Sequence, residues 1–142
     1  ALSANASKEQ IEKAKKFGHE LGIIFQIKDD IFDYYDSDEI GKPTGNDMTE
    51  GKLTLPVIYA LRSTNNEEMY SIARKVKNHD VTPEEIKQLV EFTKANGGIE
   101  YAEKVMADLH DSCNAYISEN VSDPYIRESL YKYVEFVIQR TK

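Results

Sequence analysis

Residues 25–56 read FQIKDDIFDYYDSDEIGKPTGNDMTEGKLTLP and concentrate the residues able to do chemistry. Asp29, Asp30 and Asp33 fall within five positions of a stretch otherwise rich in Ile and Phe, and Asp47 follows beyond a glycine-rich span. Carboxylates held this close repel one another and take up protons unless a cation lies among them. Hard oxygen donors without Cys or His partners suit Mg²⁺, which keeps several waters and commonly bridges to phosphate. The EF-hand alternation around a central glycine is absent, which disfavours Ca²⁺. Lys42 and Lys52 flank Gly41, Gly45 and Gly51. Each lysine alone is as well explained by a salt bridge to a nearby carboxylate. Beside a metal site the pair suits the oxygens of a phosphate.

The aspartates need a helix to share a face. With Asp29 at zero and steps of about 100° per residue, Gly22 falls near roughly 20°, Asp33 roughly 40°, Gln26 roughly 60° and Asp30 roughly 100°. Gly22 contributes no side chain, so that face gains room. Leu21, Ile24, Phe25, Ile27, Ile31 and Phe32 cover most of the remaining circumference, interrupted only by Lys28. An acidic run is most often a solvated face opposite a single apolar stripe. Here the apolar arc covers roughly 200° by the same arithmetic, which predicts an embedded helix with its acidic side turned into a cleft.

The elements around it are all helical. Ser7-Lys8-Glu9-Gln10 has the form of a capping box, opening a helix from about Lys8 to the region of Tyr34–Asp36. Gly41, Pro43 and Gly45 make the next segment a loop. A second helix starts near Leu53, with Pro56 confined to its first turn and Thr54 placed to cap it. A shorter helix runs from Asn65 to Val76. Thr82-Pro83-Glu84-Glu85 caps another, which Gly97-Gly98 should end. Ile99 to Ser118 and Tyr125 to Gln139 carry the i, i+3, i+4 apolar spacing, the last opened by Asp123-Pro124. No alternating strand pattern is present.

Composition narrows the partners. At 142 residues with 40% hydrophobic content the chain can form one domain with a real core. A net charge of −7 argues against nucleic acid or an anionic membrane as the main partner. No apolar run reaches membrane-span length, and no signal-peptide pattern opens the chain. The single Cys113 permits no internal disulfide and fits a reducing, cytoplasmic setting; in an amphipathic helix it reads as core packing. His19, His79 and His110 lack metal-ligand spacing.

The composite Phe25-Gln26-x-x-Asp29-Asp30-x-x-Asp33, Ile40-Gly41-Lys42-Pro43-x-Gly45-Asn46-Asp47 and Gly51-Lys52-x-Thr54-Leu55-Pro56 resembles the second aspartate-rich region of the trans-polyprenyl diphosphate synthases. The opening Ala1–Ser7 and the helical remainder resemble the same family, so the likeness covers essentially the whole chain. Lys52-Leu53-Thr54-Leu55-Pro56-Val57 leans toward its medium- to long-chain branch.

The resemblance implies an all-α helical bundle of the isoprenoid (terpenoid) synthase type. It implies Mg²⁺ gripping the diphosphate of an allylic substrate, whose departure leaves a carbocation for isopentenyl diphosphate to attack. On these residues it implies Asp29 as a direct metal ligand, Asp30 and Asp33 direct or through water, and Asp47 behind them. It implies Lys42 and Lys52 on the diphosphate, Gln26 and Phe25 lining the cavity, and Arg140 in a basic tail over the diphosphates. For Phe25 plain core packing is the alternative, and for Arg140 a frayed, solvated end.

The family's first aspartate-rich motif and its arginine pair have no counterpart here, and such synthases are roughly twice this length. Residues 1–142 therefore read as the carboxyl-terminal portion of one polyprenyl synthetase domain, inactive alone. The family is homodimeric. A half-bundle should leave Phe17, Leu21, Ile24, Phe32 and Tyr35 incompletely covered, so a dimer or larger is expected, with the first helix at or near the contact. Two other readings stand beside it. One is a non-catalytic helical interaction domain. The other is a terpene cyclase-like enzyme, although its second metal motif mixes Asn, Ser or Thr with Glu.

Overall fold

The computed structural model describes residues 5–35 and 44–140, and among them every regular element is helical. The order is α1 (Lys8–Phe32), α2 (Asn46–Thr49), α3 (Leu55–Thr64), α4 (Glu67–Lys77), α5 (Pro83–Ala95), α6 (Gly98–Asn120) and α7 (Pro124–Gln139). Lys42, Gly41 and Pro43 lie outside the described residues. The chain forms two compact units: one takes the described residues up to Gln26 and from Val105 onward, and the other runs from Ile27 to Lys104.

Local signals set most helix ends. Gln10 N–H donates to Ser7 Oγ at 3.2 Å, and Ser7 N–H donates to Gln10 Oε1 at 2.8 Å, so the reciprocal cap of α1 forms. Thr82 and Glu85 close the same box at the start of α5. Asp33 to Tyr35 continue α1 only as turns, with Tyr34 and Tyr35 donating to Ile31 and Phe32 three residues back. Pro56 falls in the first turn of α3, the one place where its missing N–H is harmless. Thr54 occupies the N-cap position of α3, but its hydroxyl makes no cap and sits 3.3 Å from the Tyr34 hydroxyl. Cys113 is fully buried, and burial pushes its thiol up to about 11, which keeps it a packing group.

In the first unit Ile24, Cys113, Ile117, Val134 and Val137 are buried, and Phe17 stacks on Tyr116 with ring centroids 4.8 Å apart. His110 is a helix residue whose Nε2 lies 2.5 Å from Glu135 Oε1, tying α6 to α7. In the second unit α5 underlies its neighbours, packing against α2, α3 and α4. Leu89 and Val90 supply its buried face, and Tyr59 of α3 stacks on Tyr101 of α6 at 4.1 Å.

The broad apolar arc of α1 is only partly covered. Ile24, Ile27 and Ile31 are buried in one stripe, whereas Phe25 is 45% exposed and Phe17, Leu21 and Phe32 are half-buried. The largest exposed apolar side chains lie elsewhere, on α7: Tyr125, Ile126, Tyr133 and Phe136 are 51–80% exposed. These four fall within about 100° of one another on the helix, so the apolar surface of α7 continues well past its buried stripe of Val134 and Val137. Of the five residues expected to be incompletely covered as a set, Ile24 is fully buried and Tyr35 is 49% exposed.

Candidate functional site

The acidic residues converge in the second unit, and Asp33 organises them. Its Oδ1 accepts the N–H of Asn46 at 3.1 Å, its Oδ2 accepts the N–H of Asp47 at 3.0 Å, and its backbone carbonyl accepts the N–H of Gly45 at 2.8 Å. Those N–H groups open α2, a short helix within the segment the sequence reads as loop. A side chain from thirteen positions upstream thus does the work of a local cap. Gly45 makes the turn possible with φ at +77°, a region costly for any residue carrying a Cβ. The result brings Asp47, on α2, up to the carboxylates carried by α1.

The electrostatics show that convergence. Asp30 is about half buried, and this desolvation, followed by the charges of Asp47, Asp29 and Asp33, pushes its carboxyl from an ordinary 3.8 up to about 6. Among the described residues no three acidic, His or Cys groups meet closely enough to enclose a metal ion by themselves. That still suits Mg²⁺, which is usually held by one or two carboxylates with waters and substrate phosphate oxygens completing the shell. The donor set is all oxygen and the local field is strongly anionic, so the residues present fit a divalent cation.

Tyr34 borders this region as a buried neutral phenol. Burial raises its pKa well above the usual tyrosine value, and its hydroxyl pairs with Thr54. The pairing did not stand out in the sequence, where Thr54 reads as a helix cap and Tyr34 is one of two adjacent tyrosines. Lys52 is in place but engaged: its Nζ lies 2.7 Å from Glu50, whose carboxylate raises the lysine pKa, and the pair is exposed. An exposed pair of this kind contributes little to stability, so a phosphate can compete for Lys52 at little cost.

The remaining expected site residues belong to the first unit. Gln26 is exposed on α1. The Arg140 guanidinium lies 3.8 Å from the centroid of the Phe25 ring and donates from Nη2 to the Phe25 carbonyl at 2.9 Å. Arg140 is therefore docked rather than frayed, and Phe25 is a half-exposed platform rather than core. The space beside Gly22 is open, with no other group within 4 Å of a Cβ built there.

The acidic cluster gives the first pH-dependent prediction. The folded-state pKa of Asp30 lies above its unfolded value, so the folded state holds that proton more tightly. Stability from this residue is fully present below about pH 4 and is lost as pH rises through about 6. Asp30→Asn should therefore raise the urea midpoint above pH 6 in metal-free buffer and leave it nearly unchanged at pH 4. An equal gain at both pH values would mean that the buried charge of Asp30 is not its cause.

A model of the polyprenyl synthetase family matches residues 1–93. The chain belongs to that family. Within it, the chain is 37% identical over 103 residues to a short chain isoprenyl diphosphate synthase of Methanocaldococcus jannaschii, covering 72% of this chain and 31% of that protein. It is 32% identical over 125 residues to a geranylgeranyl diphosphate synthase of Mycobacterium tuberculosis, covering 87% of this chain and 36% of the relative. Among solved structures, a geranylgeranyl pyrophosphate synthase from Bacteroides thetaiotaomicron superposes with a TM-score of 0.89 at 45% identity, over 99% of this chain and 45% of that one. The all-α fold is thus the family's isoprenoid synthase type, and the chain spans less than half the length of these relatives.

Proposed function

We propose that this chain is the carboxyl-terminal, diphosphate-gripping portion of a trans-polyprenyl diphosphate synthase that joins an allylic diphosphate to isopentenyl diphosphate. The observation that carries the reading is the all-oxygen anionic cluster assembled from two separate elements, with Asp30 pushed toward protonation by burial and then by the charges of Asp47, Asp29 and Asp33. Such a cluster is unfavourable by itself and becomes favourable around a cation. Mg²⁺ bound there would neutralise the charge that develops on a departing diphosphate.

The chain's own groups then have distinct tasks. Asp29 and Asp30 present carboxylate oxygens to the metal from α1. Asp33 keeps a lone pair on each oxygen for a metal-bound water, while its hydrogen bonds fix α2 and hence Asp47. Lys52 exchanges Glu50 for a phosphate oxygen, and Lys42 acts from the preceding loop. Gln26, three residues before Asp29 on α1, and Phe25 face the prenyl chain, and Arg140 is held ready by the Phe25 ring. The relatives range from short-chain to nonaprenyl synthases, so the medium- to long-chain product proposed here rests on Lys52-Leu53-Thr54-Leu55-Pro56-Val57 alone.

One experiment tests the reading with two arms. The full-length protein, given allylic diphosphate, labelled isopentenyl diphosphate and Mg²⁺, should extend the chain by five-carbon units. The 142-residue segment should give no extended product, yet Mg²⁺ with a non-reacting allylic diphosphate analogue should raise its melting temperature. A ligand at about 100 times its Kd stabilises by about 2.7 kcal/mol, which is readily seen. A segment indifferent to metal and diphosphate together would refute the proposal.

The assembly proposed is a homodimer in the cytoplasm. Among the described residues no helix is long and apolar enough to cross a membrane. For the segment alone, the bare face of α7 is the contact expected, displacing α1 from that role. Contiguous exposed apolar patches beyond a few hundred Å² are uncommon on monomers. Sedimentation at micromolar concentration should show a dimer or larger, and Phe136→Asp should shift it toward monomer. A compact monomer before mutation would contradict this.

A further inference from the structure

We infer that the groove between α3 and α4 is a second, metal-independent binding site for a short prenyl diphosphate. It encloses about 370 Å³, with Ile58 and Leu61 of α3 and Ala73 of α4 along its apolar floor and Arg62, Arg74 and Lys77 around it. Leu61 and Ala73 are buried, whereas the three cations are exposed. No residue of the acidic cluster takes part.

The rim brings three cations together in a chain that carries 25 acidic residues against 18 basic. Lys75, on the same helix as Arg74 and Lys77, pairs with Glu85. Lys13, Lys52 and Lys132 are paired as well. Arg62, Arg74 and Lys77 have no carboxylate partner among the described residues. Three uncompensated positive charges bordering an apolar trough are complementary to a ligand with an apolar body and a compact, multiply charged head. Guanidinium groups suit phosphate oxygens because their paired N–H donors match them two at a time.

Size decides between a small amphiphile and a polypeptide. Sites for small molecules enclose about 300–1,000 Å³. A volume of about 370 Å³ lies near the lower end of that range and favours a small amphiphile over a docked helix about 10–12 Å across. An allylic diphosphate of two isoprene units has the right polarity at both ends. The choice of that amphiphile rests on the function proposed above; the groove and its charges do not.

The test uses a geranyl diphosphate analogue with a sulfur bridge, which does not react, added to the full chain in excess EDTA. Without divalent metal the aspartates repel a diphosphate, so binding that persists reports the groove. We expect one-to-one saturable binding that weakens about tenfold or more in Arg62→Gln/Arg74→Gln and is unchanged in Asp29→Asn. Geraniol alone and inorganic diphosphate alone should each bind at least about tenfold more weakly, because each lacks one half of the complementarity. Circular dichroism of the double variant, both of whose sites are exposed, should match wild type. No binding in EDTA, or binding insensitive to the two arginines, would overturn the inference. So would inorganic diphosphate binding as tightly as the analogue, or arginine-dependent capture by phosphatidylserine vesicles without binding of the monomeric ligand. Metal-dependent binding lost while the EDTA-resistant binding remains would support the groove and instead refute the proposed function.

Discussion

Asp29→Ala in the full-length enzyme should lower turnover by about 10²–10³-fold, the usual loss when one preorganised electrostatic contact to developing charge is removed. Asp29 sits in the cluster that repels Asp30, so its loss weakens the attraction for a cation at the point where two elements meet. Its neighbour Lys28 provides the control. Lys28 lies over the Phe32 ring at 5.2 Å, an arrangement worth about 0.5–1 kcal/mol at an exposed site. Lys28→Ala should therefore cost a little stability and leave turnover within a few-fold of wild type. Steady-state kinetics with urea denaturation separates the two. Equal losses of turnover in both variants, with folding intact, would contradict the assignment of the acidic face.

Gly45→Ala should cost about 2–4 kcal/mol of stability, combining left-handed backbone strain with overpacking. The φ of +77° is one source, and the other is Ile86 of α5, whose Cγ2 lies 2.4 Å from where the new methyl would stand. Relief requires α2 to move off α5, which would drag Asp47 away from Asp30. The variant should accordingly lose turnover and bind Mg²⁺-diphosphate more weakly even where it is fully folded. Gly22→Ala is the counterpart, with open space around the added methyl and ordinary helical geometry. It should gain about 0.5–1 kcal/mol, the usual benefit of removing glycine from a helix interior. A Gly45 variant as stable as wild type would show that α2 does not rest on α5 as described.

What the sequence disclosed depended on how far each interaction reaches along the chain. The boxes at Ser7 and Thr82 close over three residues, so their chemistry is visible in a short window. Pro56 announces the first turn of α3 in the same way. The cap that Asp33 supplies to α2 spans thirteen residues, and no local pattern distinguishes it from a metal-binding aspartate. Thr54 had the right type and position for a cap, yet the buried Tyr34 hydroxyl took its oxygen. The width of the apolar arc on α1 was legible, but its coverage was not, because burial is decided by partners that a helical wheel does not contain. The same holds for α7, whose bare aromatic face has the periodicity of an ordinary core helix. Asp29 and Asp30 were legible together because both sit on α1, whereas Asp47 joins them only through the cap that Asp33 supplies to α2.

The Asp33 clamp also bears on how such chains change over time. One residue holds both margins of the intervening segment, its carbonyl and carboxylate meeting Gly45, Asn46 and Asp47 on the far side. Closing a longer segment across a fixed gap costs only about 0.6 kcal/mol for each doubling of its length. The placement of Asp47 is thus set by its hydrogen bond to Asp33 rather than by the number of residues between Tyr35 and Thr44, whereas the proposed role of Lys42 ties the composition of that segment to the site.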